Sequence, residues 1–185
     1  AAVTERGVVY STSSNPTTSN SKIVSGSGLG SFECKLTSLN YATTYYVRSY
    51  AKNSAGTVYG NEITFTTSPI LPTVSASTVT NLTSSSATIS SSVTSDGGAT
   101  VTERGVVYST SSNPTIDDIK IVNGSGVGNF TCALNSLSPG TTYYVRSYAV
   151  NGAGVAYGEE SFFKTLASLP IIGASSVSNI TSSSA

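Results

Sequence analysis

Apolar and polar residues alternate in short runs along this chain, and turn-forming clusters separate the runs. The stretch ATISSSV puts Ala87, Ile89, Ser91 and Val93 on one side and Thr88, Ser90, Ser92 and, one residue on, Thr94 on the other. A period of two marks a half-buried strand. SDGG (Ser95–Gly98) then predicts a turn. ERGVVYS predicts the next strand, which SSNPT ends at Pro114. IKIV is a short strand, and NGSGVG turns the chain again. In FTCAL, Phe130, Cys132 and Leu134 share one face. TTYYVRSYA predicts a long strand with Tyr143, Val145, Ser147 and Ala149 facing one way and Tyr144, Arg146 and Tyr148 the other. NGAG turns the chain, and EESFFKT closes the series. Strand signals at this spacing, with turns every ten or so residues, predict a two-sheet sandwich of roughly 95 residues.

The pattern occurs twice. VTERGVVYSTSSNPT stands at Val3–Thr17 and again at Val101–Thr115. Glu5 recurs as Glu103, Cys34 as Cys132, Phe65 as Phe163 and Pro72 as Pro170, always at an offset of 98 (103 minus 5, 163 minus 65). Residues 1–87 overlay residues 99–185 without a gap, and about two thirds of the pairs are identical. This period is too long for a solenoid unit and suits a whole small domain. The expectation is a tandem array cut from a longer chain, since both ends fall inside a repeat.

Composition narrows the function classes. The formal net charge is +0 and charged residues make up 10% of the chain, which argues against a nucleic-acid surface or a polybasic membrane patch. About a third of the residues are Ser or Thr. No apolar run approaches the 18 or so residues of a membrane span. There is no His, so the commonest general base and metal ligand is missing. No catalytic constellation, cofactor loop or calcium loop is visible. Asp96, Asp117 and Asp118 do not have loop-ligand spacing. The glycines of GSGVG lie between strands with no following helix, so they lack the context of a phosphate loop. The expectations are no enzyme, no cofactor and no metal.

At Leu137–Gly154, LSPGTTYYVRSYAVNGAG resembles the E–F turn and F strand of fibronectin type III domains. The paired motifs around RGV and TTYYVR also resemble tandem fibronectin-III-like repeats of secreted surface proteins from Bacteroidota-type bacteria. The resemblance implies an all-β chain of tandem fibronectin type III-like (Ig-like) two-sheet sandwiches, extracellular or on a cell surface. It implies a tyrosine corner at Tyr143 and Tyr45, with a different corner turn in the first copy, where Tyr41 and Ala42 replace Pro139 and Gly140. On this reading residues 1–67 are strands C to G of one domain, 73–165 a complete domain, and 171–185 the first strand of a third. The linkers 68–72 (SPILP) and 166–170 (LASLP) are short and apolar with Pro in each, which predicts stiff, packed joints.

Several candidate sites follow. Cys34 and Cys132 face inward as buried thiols, or crosslink neighbouring chains. They lie too far apart for an internal disulfide. Tyr46, Arg48 and Tyr50, with Tyr144, Arg146 and Tyr148, are a candidate exposed contact face for a neighbouring repeat or a glycan, or an outer-face packing stripe. Arg146 is placed to pair with Glu103. Thr88, Ser90, Ser92 and Thr94 form an outward hydroxyl row, either neutral surface or sites for covalent O-linked sugar. The expected role is a structural module of an extracellular fibre, pilus-like filament or stalk, partnered by neighbouring repeats and open to strand exchange between chains. An adhesin, a carbohydrate-binding module and a spacer in a secreted enzyme are the alternatives.

Overall fold

The computed structural model describes residues 1–170, 172, 173 and 182. The expected strand of a third unit, 171–185, lies almost wholly outside the described residues. In chain order the strands are β1 (Glu5–Ser11), β2 (Ser21–Val24), β3 (Thr44–Asn53), β4 (Gly56–Tyr59), β5 (Ile63–Thr66), β6 (Thr73–Val74), β7 (Thr78–Thr80), β8 (Ala87–Ser95), β9 (Glu103–Ser109), β10 (Ile119–Val122), β11 (Gly128–Leu134), β12 (Thr142–Asn151), β13 (Gly154–Tyr157) and β14 (Ser161–Lys164). Every strand pair is antiparallel.

The second unit is a sandwich of two sheets. One runs β10-β9-β12-β13, with β14 also on β12; the other runs β11-β8-β6, with β7 also on β8. Alternation places Ala87, Ile89 and Val93 of β8 and Phe130, Cys132 and Leu134 of β11 on one face. Opposite them lie Val106, Tyr108, Tyr143, Val145, Ala149 and Phe163, and together these build one core. Two hydroxyls also cross between the sheets. The buried Ser77 and Ser147 are hydrogen-bonded at 2.6 Å. The pairing satisfies groups that would otherwise be costly to bury.

Among the described residues the first unit repeats only the larger sheet, β2-β1-β3-β4 with β5 on β3. Its registers match residue for residue: Gly7 opposes Tyr50 as Gly105 opposes Tyr148. Two differences from the sequence reading follow. Residues 30–36, which correspond to β11, form no strand, because no counterpart of β8 stands beside them among the described residues. The inner face is correspondingly open: Phe65 is 39% exposed where Phe163 is 6% exposed. Near-identical sequence therefore meets two environments within one chain.

Candidate functional site

The outer face of the larger sheet carries the Tyr–Arg stripe. The structure corrects it at Tyr50 and Tyr148, which are 2% and 0% exposed. The cause is the glycine opposite each. A Cβ on Gly105 would stand 3.1 Å from Tyr148 Cε1 and 2.0 Å from the Ile121 carbonyl oxygen. Lacking it, Gly105 lets the Tyr148 ring lie close against the sheet, with Lys120 Nζ 5.9 Å from the ring centroid. The Tyr148 hydroxyl donates to Glu103 Oε1 at 2.7 Å, and Lys120 Nζ donates to the same oxygen at 2.9 Å. Tyr50, Glu5 and Lys22 repeat the arrangement at 2.6 and 2.9 Å.

Electrostatics follow from this geometry. The Lys120 bond, then the Tyr148 hydroxyl, hold the Glu103 carboxyl below its ordinary range. For Glu5 the Tyr50 hydroxyl leads and Lys22 follows. Burial, reinforced by the Glu5 carboxylate, pushes the Tyr50 phenol up to about 12. The same causes raise Tyr148 further.

Arg146 does not pair with Glu103. It opposes Val107, whereas Glu103 opposes Val150 four positions along β12, about 13 Å away at strand rise. Instead Arg146 Nε donates to the Gly158 carbonyl at 3.2 Å, and its guanidinium lies 4.5 Å from the Tyr157 ring centroid. Arg48 does the same with Gly60 and Tyr59. Tyr46 and Tyr144 remain half-buried. Tyr144 stands 6.3 Å from Phe162, which is 72% exposed; Tyr46 opposes Thr64 instead.

The tyrosine corners form in both units. Tyr143 Oη accepts from the Ser138 N–H and Tyr45 Oη from the Asn40 N–H, each at 3.0 Å. The first corner turn keeps the geometry of the second: Ala42 takes a positive φ of 47° where Gly140 has 62°. Cys132 is 2% exposed and burial pushes its thiol up to about 11. Cys34 is half-buried rather than buried, because among the described residues its segment has no second sheet to pack into, and both thiols are free. In the hydroxyl row Thr94 is exposed, while Thr88, Ser90 and Ser92 are half-covered.

Two arrangements escaped the sequence reading. The glycine loop between β10 and β11 turns carbonyls toward a cation: Arg104 Nη1 donates to Gly126 O and Gly128 O, both at 3.1 Å, with Phe130 beneath its guanidinium. A loop that presents acceptors is the opposite of an anion cradle. The second is the joint between the units. Asn151 Nδ2 donates to Ile70 O at 2.8 Å and to Asp96 O at 2.7 Å, and Ile70 N–H donates to Gly97 O at 2.9 Å. A Cβ on Gly98 would meet the Ala42 Cβ at 2.3 Å, and one on Gly154 the Leu71 Cδ2 at 3.1 Å. The corner of the first unit, the linker and two loops of the second are in direct contact. The sequence signal at Asn151 is the turn NGAG, which accounts for Asn as a turn residue and not for its bonds to the linker.

Residues 72–163 match the Fibronectin type III domain family. The unit from β6 to β14 thus has the fibronectin type III fold, with a five-stranded sheet facing a four-stranded one. Similar solved structures include the sensor domain of the anti-sigma factor RsgI4 from Pseudobacteroides cellulosolvens, at 24% identity and a TM-score of 0.41, over 52% of this chain and 95% of that one. A human fourth FNIII domain matches at 27% identity and a TM-score of 0.44, over 61% of this chain and 92% of that one. The FN1–FN3 domains of chicken CNTN1 match at 18% identity and a TM-score of 0.42, over 88% and 56% respectively. No curated protein sequence matches the chain.

Proposed function

We propose that this chain is a structural module of an extracellular fibre, pilus-like filament or surface stalk, built from tandem fibronectin type III units. The joint at Ile70–Pro72 is the observation that carries the reading. Hydrogen bonds and close backbone contacts on both sides of the linker fix one unit against the next, as a rod requires. The outer stripe supports it too. Its aromatic and charged groups are spent on one another, and the buried Tyr50 and Tyr148 leave little for a ligand to stack on. The neutral, hydroxyl-rich surface suits a hydrated exterior, and Thr94 is the best-presented position of the row for covalent sugar.

Strand exchange is a specific form of this reading, favoured by the open inner face around Phe65. In it a neighbouring chain's residues 171–185 add to the first unit. Electron microscopy of the native material tests the main reading: filaments or rods with a regular domain spacing are expected, and compact particles without a repeat would overturn it. The mass of the native chain under denaturing conditions tests the exchange form, which requires a species near 18.8 kDa.

A further inference from the structure

The joint between the two units has a socket, and the part of it built by an Asn side chain and the β-turn that follows recurs at the far end of the first unit. In the second unit it is built from Asn151 and the β12–β13 turn, and it holds the backbone of Ile70 and the side chain of Leu71. At an offset of 98, its counterparts are Asn53 and the β3–β4 turn. There a depression of about 280 Å³ is lined by Val3, Ala51, Asn53, Ala55, Gly56 and Val58, among others. Asn53 Oδ1 accepts from the Ala55 N–H at 2.9 Å, as Asn151 Oδ1 does from Ala153. The side chain is thus already held in the working pose. Among the described residues, its Nδ2 has no partner, whereas Asn151 Nδ2 has two.

The chain also carries a second plug. Leu166–Pro170 is the counterpart of Ser68–Pro72, and its start is held in the same way: Gly140 N–H donates to Leu166 O at 3.1 Å, as Ala42 N–H does to Ser68 O at 3.2 Å. Leu169 and Pro170 repeat Leu71 and Pro72. The position that changes, Ile70 to Ser168, is the one whose backbone N–H and carbonyl make the joint's hydrogen bonds, so the side chain is free to differ. Leu169 is 89% exposed.

We propose that the Asn53–Val58 depression is a linker socket, and that the Leu166–Pro170 segment of a second copy of this chain fills it. Copies then join head to tail through the Asn and β-turn part of the contact that joins the units within one copy; the Asp96–Gly98 part of that contact has no counterpart at the Asn53 end. This rests on the rod reading above and adds the partner and its contact residues.

The test is sedimentation of the chain over a concentration series, with a ¹⁵N-labelled sample for chemical shifts. Head-to-tail docking raises the average mass with concentration and moves the Asn53 side-chain amide and the Gly56 amide, while the Asn151 side-chain amide stays in place. Leu169→Asp and Val58→Asp, both at exposed positions, are expected to weaken association at least tenfold with unchanged circular dichroism. A chain that stays monomeric into the millimolar range would overturn the proposal. So would association that survives Leu169→Asp, or shifts confined to the inner face at Val47 and Phe65. Small-angle scattering of the monomer separates the two readings. A fixed two-unit rod that does not self-associate sinks the socket alone, and a flexing monomer sinks the rod.

Discussion

Tyr148 shows how much one missing Cβ decides. The period of two puts it correctly on the outer face, but burial there depends on Gly105 across the ladder, Lys120 above the ring and Glu103 at the hydroxyl. Tyr148→Phe removes a bond to a charged acceptor and is expected to cost about 1–2 kcal/mol in chemical denaturation. The pH dependence has two arms. The Glu103 carboxyl is depressed on folding, so its contribution is present above the ordinary carboxylate range and is lost as pH falls through the folded value. The Tyr148 phenol is raised, so its contribution is present below the ordinary tyrosine value of 10.0 and is lost as pH climbs toward the folded value. Ultraviolet titration should leave Tyr50 and Tyr148 un-ionised at pH 10–11 while exposed tyrosines ionise; the stripe is misread if all ionise together. The thiols give a second contrast. Cys34 is expected to react with an aromatic disulfide reagent well before Cys132, with peptide mapping locating the label. Equal rates would mean that Cys132 is not sealed in the core.

At the scale of elements, the two units are an internal control. β3 and β12 share the core TYYVRSYA and the same neighbours on their own sheet, but only β12 is covered by β8 and β11. Phe163→Ala should therefore cost about 3–5 kcal/mol, as for a large core deletion. Phe65→Ala should cost under about 1 kcal/mol, since Phe65 is already 39% exposed. Hydrogen exchange of β12 against β3 amides reports each separately; equal losses would mean that the first unit's inner face is covered after all. Most strands were legible in the sequence because alternation and turn residues are local signals: Ala87–Val93 and Phe130–Leu134 sit as their patterns require. Three things were not. The unpaired segment 30–36 has a strand-like sequence, but a strand needs a neighbour, and that is a fact of topology. The Glu103 partner depended on register, which placed Lys120 beside it and Arg146 far along the strand. The inward Arg104 was hidden because its role is set by loop carbonyls that no side-chain pattern encodes.

At the scale of the molecule, the question is what keeps the two units at one angle. Pro69 and Pro72 each restrict φ at their own residue only, so SPILP alone would not define a joint. The definition comes from Asn151, whose two Nδ2 bonds tie the linker carbonyl of Ile70 to the Asp96 carbonyl of the next unit's loop. Asn151→Ala leaves both acceptors without that donor in a partly buried site, a loss of about 1–3 kcal/mol for each if water does not replace it. Because the same side chain also caps its own turn through Ala153, a control is needed that opens the joint and spares the turn. Replacing Ile70–Pro72 by Gly-Gly-Gly removes Leu71 from Gly154 and frees the backbone without touching Asn151. Both variants should broaden the distribution of inter-unit angles, read from residual dipolar couplings of the two larger sheets, while each sheet keeps its own couplings. A wild-type chain whose sheets already tumble independently would show that these contacts do not hold the rod, and neither variant would then change anything.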